Sequence, residues 1–376
     1  MLLLPRRVTA AALLAASLAV AAAGCGSDNK SSSSTSTSAA ASGSGGKGAK
    51  IALLLPENKT ARYEAQDKPR FIARVKELCP SCEVIYENAN QDAAKQQQQA
   101  EAALTRGAKV LVLDAVDVAS AGSIVTRAKQ SNVPVISYGR LVSNAPLDYY
   151  VSIDPYKVGQ QQANVLLDAM KKQGKAQPRV VMINGSPTDS NAPPYKKGAK
   201  SVFDQAGAKI VKSYDTADWS PDKAQQEMEQ TITAAGKTGF DAVYVANDGM
   251  AGGVIAAMKA AGIDPKKVLV TGQDAEATGV QRILSGEQLM TVYQPIPKIA
   301  ATSADLAVPL AQGKQPPAIT TGKTDNGSGQ VPSVLLPTIA ITKDNINDTV
   351  IKDGFLKPAD ICTGAYKKAC TDAGIG

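Results

Sequence analysis

Side chains suited to the recognition of a hydroxylated ring follow the apolar runs of this sequence. Arg62 and Tyr63 come after IALLL, Arg140 follows VISYG, Asn247 ends VYVAN and Asp274 ends VTGQD. Guanidinium, amide and carboxylate groups are planar, and they form paired hydrogen bonds with neighbouring hydroxyl groups. An aromatic face covers the C–H surface of a ring. These residue types predict a binding site for a polar, cyclic small molecule.

Two further residues complete this set. Asn191 lies in GSPTDSNA, and Trp219, the only tryptophan, lies in YDTADWSPD. Aromatic residues make up only 4% of the chain, and a single Trp in a polar segment is hard to explain as core. We predict that Tyr63 and Trp219 supply the two aromatic faces of the site.

Each of these residues also has a simpler structural interpretation. Asn247 and Asp274 could be helix N-caps, because Asn and Asp after a strand commonly accept hydrogen bonds from the next helix. Arg62 could be an exposed arginine in a first helical turn, and Trp219 could cover a hydrophobic step between a helix and a loop. Three other acidic residues near strand ends are interpreted as caps or hinge residues: Asp154, Asp189 and Asp248.

A repeated βαβ pattern must position these side chains. From Lys50, short apolar runs alternate with helical patterns, in one series up to PVISY and in a second series up to KVLVTG. Such units build parallel sheets, and open sheets of this kind bind ligands at the carboxyl ends of their strands. The predicted helices are 62–78, 92–106, 118–131, 157–172, 195–206, 222–236, 249–261 and 298–312. We predict an α/β fold of two Rossmann-like lobes, between which several segments cross, including VPSVLLPTIAI.

Composition weighs against several classes of function. The formal net charge is +7, and Lys and Arg residues are spread along predicted helix faces, which does not indicate nucleic-acid binding. The chain has no histidine, so it lacks the most common general base and the most common metal ligand. We predict that the protein is not an enzyme and that it uses no cofactor and no metal.

The N-terminal residues predict export from the cytoplasm. Arg6 and Arg7 precede an apolar stretch that ends in small residues before Cys25, which is typical of a signal peptide over 1–24. The string AAAGC resembles a lipoprotein lipobox and predicts acylation of Cys25, although Ala22 stands where a larger apolar residue is usual. Ordinary cleavage near AAA, without a lipid anchor, is the alternative. The Ser/Gly-rich segment 25–49 is predicted to be a flexible linker.

Four more cysteines lie in the exported part. Their even number in an oxidising compartment predicts disulfides. Cys79 and Cys82 could close a small ring, and Cys362 with Cys370 could tie down the tail. A redox CxxC motif or a four-thiolate zinc site is the alternative.

Five segments carry a resemblance to a known family. GSPTDSNA, ANDGMAGG, SGEQLMTVYQPI, GQDAE and DTVIKDGF, in the range 50–357, resemble segments of type 1 periplasmic binding proteins of the xylose-binding and multiple-sugar-binding group. The resemblance implies two α/β lobes joined by a three-segment hinge that close around a monosaccharide, and delivery of that sugar to the membrane permease of an ABC importer. The contacts that it implies are Arg62, Tyr63, Arg140, Asn191, Trp219, Asn247 and Asp274.

Two positions depart from the family pattern. Gly139 stands where the family has an Asp before arginine, and Gln294 stands where it has Lys after TVY. One acid and one base are lost together, so a neutral polyol remains the implied ligand class. The hydrogen-bonding pattern changes, which leaves the identity of the sugar open.

The resemblance defines the predicted organisation and function. The protein is expected to be a monomeric, lipid-anchored receptor on the outer face of the cell membrane that captures a xylose-like pentose or a related aldose. The predicted parts are a signal peptide at 1–24, a linker at 25–49, an N-terminal lobe of 50–152 plus 295–335, and a C-terminal lobe of 153–294 plus 336–376.

Three other functions compete with this prediction. A sugar sensor that presents its ligand to a membrane signalling receptor would have the same site. A glycoside hydrolase would need two carboxylates, for which Asp189 and Asp274 are candidates. A sugar-responsive repressor shares the fold, but the export sequence and the absence of a helix-turn-helix before Lys50 argue against it.

Overall fold

A computed structural model describes residues 48–175 and 177–375. The predicted signal peptide, the predicted acylation site Cys25 and the predicted linker up to residue 47 lie outside the described residues. Within the described ranges, no helix combines the length and the apolar character needed to cross a membrane.

Strands and helices alternate along most of the described chain. The strands are β1 Lys50–Leu55, β2 Glu83–Asn88, β3 Ala108–Leu113, β4 Val135–Tyr138, β5 Tyr149–Ile153, β6 Arg179–Asn184, β7 Lys209–Asp215, β8 Ala242–Val245, β9 Leu269–Val270, β10 Thr291–Tyr293, β11 Gly322–Asp325, β12 Gln330–Leu336 and β13 Ile339–Ile341. The α-helices are α1 Lys68–Leu78, α2 Ala93–Thr105, α3 Gly122–Gln130, α4 Pro155–Lys172, α5 Ala192–Gln205, α6 Pro221–Ala235, α7 Asp248–Ala260, α8 Ala277–Ser285, α9 Ile296–Ala311, α10 Pro358–Ile361 and α11 Lys367–Asp372. A π-helical segment, Tyr63–Asp67, precedes α1.

The first sheet has seven strands in the order β11-β12-β5-β4-β3-β1-β2. All neighbouring pairs are parallel except the β11–β12 hairpin. Its central strands are continuous apolar runs because helices cover both faces of a parallel sheet. Leu53 and Leu54, which point to opposite faces of β1, are both fully buried.

The second sheet has four parallel strands in the order β7-β6-β8-β9. Strands β10 and β13 form a separate antiparallel ladder. This ladder lies next to β9, because Leu289 N–H donates to Val270 O (2.8 Å) and Val292 N–H donates to Gly272 O (3.1 Å). The carboxyl end of β9 therefore lies beside the chain that leads into β10.

Three stretches of chain connect the two sheets. They follow β5, β10 and β12, and Pro337 lies in the third, between β12 and β13. The predicted fold class, two α/β lobes joined by three segments, is confirmed. The residues at which the lobes begin and end remain a prediction.

Some elements differ from the sequence-based expectation. VPSVLLPTIAI is not one extended run: β12 belongs to the first sheet and β13 pairs with β10. Pro337 has no N–H to continue a ladder, which suits a break between two sheets. Helix α8 was not predicted, although Val280, Ile283 and Leu284 are buried at helical spacing.

Close packing of α4 on α5 fixes one wall of the cavity described below. A Cβ on Gly159 would lie 2.0 Å from Tyr195 O, and one on Gly198 would lie 2.1 Å from Tyr156 O. The two helix backbones can approach this closely only because glycine has no side chain. The contact holds the first turns of α5 in place.

Both cysteine pairs form disulfides in the structure. Cys79 bonds to Cys82 at the end of α1, with Cα atoms 5.3 Å apart. Cys362 bonds to Cys370 in the C-terminal tail, with Cα atoms 5.7 Å apart. This pairing is incompatible with a four-thiolate zinc site.

Candidate functional site

The strand ends of the two sheets lie around one cavity. Its walls contain every ligand-binding residue predicted from the sequence, together with residues that the prediction missed. The lining residues are Thr60, Arg62, Tyr63, Asp114, Gly139, Arg140, Asp189, Asn191, Tyr195, Trp219, Asn247, Gln273, Asp274 and Gln294. Strand β1 leads to Arg62, β3 to Asp114, β4 to Arg140, β6 to Asn191 and β8 to Asn247.

Arg62 is held by hydrogen bonds from one side of the cavity to the other. Its Nε and Nη2 donate to the carboxylate of Asp67 (3.0 and 2.8 Å), and its Nη1 donates to Gln294 Oε1 (3.0 Å). The hydroxyl of Tyr138 also donates to Asp67. Because only 8% of Arg62 is exposed, its interpretation as an exposed first-turn arginine is wrong. Burial lowers the pKa of Arg62, but Asp67 and neighbouring groups raise it well above its usual value.

Asp274 is a buried carboxyl group in an unusual backbone conformation. Its φ is +89°, a region that non-glycine residues rarely adopt and that is often found at functional sites. Its Oδ1 accepts a hydrogen bond from Gln294 Nε2 (2.8 Å) and lies 3.8 Å from Arg62 Nη1. Burial raises the pKa of Asp274 to about 7, and the charge of Arg62 opposes this rise. Helix α8 begins after Glu276, so Asp274 is not its N-cap.

Arg140 connects loops that follow the two sheets. Its Nε forms an ion pair with Asp189 Oδ2 (2.8 Å) and lies 3.4 Å from Asp114 Oδ1. Its Nη1 donates to Ala115 O (2.9 Å), and its Nη2 donates to the hydroxyl of Tyr63 (3.3 Å). Burial lowers the pKa of Arg140, whereas Asp189 and its other neighbours raise it above the usual value.

Trp219 lies in the cavity wall and is also part of the hydrophobic core. It is 5% exposed, with a positive φ of 52°. Its Nε1 donates to Asp189 Oδ2 (3.2 Å), and the Tyr195 ring meets it edge-on at 6.4 Å between centroids. A Cβ on Gly185 would lie 2.1 Å from the indole ring, so the ring lies directly against the backbone that follows β6.

The two predicted asparagines have different second roles. Asn191 Nδ2 donates to Gly139 O (3.0 Å), a contact between the loop after β6 and the loop after β4. Asn247 Oδ1 accepts from Met250 N–H (2.9 Å), so Asn247 is the N-cap of α7 as well as a residue of the cavity wall. Its capping oxygen is occupied, which leaves its Nδ2 group for other contacts.

Two of the acidic residues interpreted as caps or hinge residues do more than that. Asp154 does cap α4, where it accepts from Lys157 N–H (3.2 Å). Asp189 accepts from Asn191 N–H in a local turn (2.8 Å) but also lines the cavity and pairs with Arg140. Asp248 is fully buried and accepts from Gln288 Nε2 (2.7 Å), so the cap or hinge interpretation is wrong for it. Burial raises its pKa to about 6.

Sequence reasoning missed several residues of the wall. They are Thr60, Asp114, Tyr195 and Gln273, with Asp189 left out of the predicted set. The position of Asp114 directly after the apolar run of β3, and of Gln273 next to Asp274, is the pattern that could have identified two of them.

Two buried acceptors in this wall have no hydrogen-bond donor among the described residues. They are Asp114 Oδ1 and Gln273 Oε1. Such atoms are costly to bury unless a ligand or water supplies a donor. With guanidinium donors and the rings of Tyr63, Tyr195 and Trp219 in the same wall, the cavity suits an uncharged molecule that carries several hydroxyl groups. The described ranges hold no group of three or more His, Cys, Asp or Glu side chains arranged to bind a metal ion.

Comparison with known proteins gives consistent matches over most of the chain. Residues 51–315 match the family described as periplasmic binding protein domain. The chain is 36% identical over 319 residues to the D-xylose-binding periplasmic protein of Escherichia coli (strain K12), which covers 84% of this chain and 93% of that protein. It is 31% identical over 323 residues to the multiple sugar-binding periplasmic receptor ChvE of Rhizobium radiobacter, covering 82% of this chain and 90% of that protein.

A solved structure supports the same relationship. An ABC transporter solute binding protein from Clostridium phytofermentans, with bound β-D-glucose, matches with a TM-score of 0.76 at 27% identity. The match covers 83% of this chain and 99% of that one.

Proposed function

The chain belongs to the periplasmic binding protein family, and we propose that it captures a monosaccharide outside the cytoplasm and delivers it to an ABC importer. The ligand class is a xylose-like pentose or a related aldose. The relatives support this ligand class, because they include D-xylose-binding and multiple sugar-binding proteins.

The observation that carries the proposal is the chemistry of the cavity wall. Arg62 and Arg140 carry donors, and Asp114 Oδ1 and Gln273 Oε1 are acceptors to which no described residue donates a hydrogen bond. A sugar hydroxyl both donates and accepts, so one molecule can satisfy both kinds of group. The rings of Tyr63 and Trp219, both 5% exposed, border the same space and suit the C–H face of a pyranose.

The proposed mechanism is closure of two lobes over the sugar. The lobes are 50–152 plus 295–335 and 153–294 plus 336–376. Polar contacts join loops that follow the two different sheets, as in the pairs Arg140–Asp189 and Asn191–Gly139. A ligand that contacts both walls stabilises the closed form, because those contacts are complete only after closure. The closed form is then the species that docks on the permease.

The remaining features of the proposal concern the cell envelope. Family membership supports a location outside the cytoplasm. We further propose that Cys25 is acylated, that residues 25–49 tether the receptor to the outer face of the membrane, and that the receptor acts as a monomer. Mass spectrometry of the mature protein, purified from the membrane fraction, would detect the lipid on Cys25.

A panel of sugars tests the proposed function directly. Thermal unfolding of the protein is measured with D-xylose, D-ribose, L-arabinose, D-glucose, D-galactose, xylitol and myo-inositol. A ligand selective for the folded state raises the melting temperature by mass action, so at least one monosaccharide should give a concentration-dependent rise. No rise with any of these compounds at millimolar concentration would contradict the proposal.

The variant Asp274→Ala tests the site. It removes a buried carboxylate and should weaken binding of the best sugar by about 2 to 4 kcal/mol, as measured by calorimetry. Asp222→Asn, at an exposed position in the first turn of α6, is the matched control and should bind as the wild type does. Equal affinity of Asp274→Ala and wild type would remove Asp274 from the proposed site.

A further inference from the structure

We propose that Asp114 is a ligand contact that determines which hydroxyl arrangement the cavity accepts, and that it can act in this way only because residue 139 is glycine. This inference rests on the proposed function. Asp114 was not among the residues predicted to bind the ligand.

The backbone around Asp114 is firmly held. Asp114 directly follows β3, and its N–H donates to Leu54 O (3.0 Å). The side chain of Gln96 completes the fixation, since its Nε2 donates to Asp114 O (2.8 Å) and its Oε1 accepts from Val116 N–H (2.9 Å). The end of β3 and the buried amide of Gln96 therefore fix the backbone from which the side chain of Asp114 extends.

Asp114 and residue 139 compete for one space. Strands β3 and β4 are parallel neighbours, so the residues that follow them lie side by side. A Cβ on Gly139 would lie 2.6 Å from Asp114 Oδ2, closer than real Cβ contacts allow. Gly139 also has a positive φ of 67°, which side chains disfavour. Any side chain at position 139 would have to displace the carboxyl group of Asp114.

One oxygen of the Asp114 carboxyl group, Oδ1, accepts no hydrogen bond from the described residues. Asp114 is only 1% exposed. The nearest cation is Arg140, whose Nε lies 3.4 Å from Asp114 Oδ1 without donating a hydrogen bond to it and is closer to Asp189 Oδ2, at 2.8 Å. The Nη1 of Arg140 donates to Ala115 O (2.9 Å). Burial raises the pKa of Asp114 well above its usual value, and Arg140 only partly opposes this. A hydroxyl of a bound sugar is the partner that the cavity can still supply.

This arrangement changes the interpretation of Gly139. Glycine at 139 was expected to delete an acid from the site. Instead, the cavity wall contains a carboxyl group at the same place, and it comes from the neighbouring strand end. Because this carboxyl group enters from β3, it meets the sugar ring from a different direction, which is expected to favour a different epimer.

The test compares the ranking of epimeric sugars among variants. Calorimetry measures the binding of four pentoses to wild type, Asp114→Ala and Asp114→Asn. The pentoses are D-xylose and three sugars that each differ from it in the orientation of one hydroxyl group: D-ribose, D-lyxose and L-arabinose. Asp114→Ala should weaken the best of these sugars by about tenfold or more and should reduce its advantage over the epimer that differs at the contacted hydroxyl. Asp114→Asn keeps the shape and should lose less.

Position 139 provides an independent arm that leaves Asp114 in the sequence. Gly139→Ala should displace the carboxyl group and alter the same ratio of affinities. The double variant Gly139→Asp with Asp114→Ala moves the carboxyl group to the other strand end and should recover binding with a changed ranking. Thermal unfolding without sugar shows whether each variant is folded.

The outcomes separate this inference from the proposed function. If the wild type binds none of the four pentoses or the other sugars of the panel, the proposed function fails and this inference fails with it. If the wild type binds a sugar while folded Asp114→Ala, Asp114→Asn and Gly139→Ala keep its affinity and ranking, the function stands and Asp114 has no role in selectivity.

Discussion

At the scale of single residues, the cavity concentrates buried charge that only partly cancels. Arg62 and Arg140 face the carboxyl groups of Asp67, Asp114, Asp189 and Asp274. An acid that is buried without full compensation is easier to protonate. The rise in the pKa of Asp274 to about 7 is one result. The stability of the ligand-free protein should therefore change with pH in a range in which ordinary aspartates do not titrate.

The sign of this response follows from the pKa of Asp274. An aspartate in an unfolded chain titrates near pH 4 and Asp274 in the folded protein at about pH 7, so between these values the folded state holds the extra proton. The contribution to stability is complete below about pH 4 and is lost as the pH rises through about 7. We predict that the melting temperature of the sugar-free protein falls over this range.

The variant Asp274→Asn separates this residue from others that titrate with the same sign. Burial also raises the pKa of Asp248 to about 6 and that of Glu276 to about 8. Melting temperatures measured from about pH 4 to about pH 8 should decrease less steeply in Asp274→Asn than in the wild type, while exposed Asp222→Asn keeps the wild-type slope. Identical slopes in all three proteins would contradict the assignment.

At the scale of elements, the strand ends decide where each functional side chain points. Trp219 illustrates this, because its ring lies directly against Gly185, the glycine that follows β6. The bond from its Nε1 to Asp189 fixes the orientation of the ring in its plane. The small residue after β6, Gly185, thus determines the position of the Trp219 ring, which follows β7.

Gly185→Ala tests this dependence. The new methyl group would lie 2.1 Å from the indole ring, so Trp219 must move. We predict that calorimetry shows binding of the best sugar weakened by about tenfold or more, with a smaller loss of stability. Gly122→Ala in α3 is the control, since its Cβ would meet nothing closer than 3.7 Å. Full affinity in a folded Gly185→Ala variant would show that the position of Trp219 is unimportant.

At the scale of the whole molecule, the enclosed cavity depends on contacts between loops that belong to different sheets. Leu141 N–H donates to Ser190 Oγ (2.7 Å), and Val118 N–H donates to Thr188 O (3.1 Å). These bonds join the loops after β3 and β4 to the loop after β6, at residues that do not line the cavity. Hydrogen bonds at these positions would stabilise a closed form of the two lobes, and they would break if the lobes opened about the three connecting segments.

Small-angle scattering tests closure. We predict that the radius of gyration is larger without sugar and decreases when the best sugar is added, because the ligand shifts the population toward the closed form. Ser190→Ala removes one closing bond without touching the cavity wall, and it should weaken all sugars by a similar factor of about three to ten. An unchanged radius at saturating sugar would contradict the clamshell mechanism.

The alternation of elements and most of the residues that line the cavity could be predicted from the sequence. Apolar runs followed by polar clusters identify strand ends, because a buried parallel strand is apolar throughout and its carboxyl end must return to solvent or to a ligand. Arg62, Arg140 and Asp274 were identified in this way, and the structure brings them into one cavity.

Which strand ends are neighbours depends on the order of the strands in the folded sheets, which the sequence does not show. In the first sheet β3 lies beside β4, so the carboxyl group of Asp114 lies next to Gly139. The spacing of these two residues in the sequence does not reveal this contact. Similarly, Asp189 accepts from Asn191 N–H in a local turn, but the packing of the loop after β6 also makes it the ion-pair partner of Arg140. A sequence shows which residue ends each strand, but strand order and packing determine what that residue meets, because those contacts form between segments far apart in the chain.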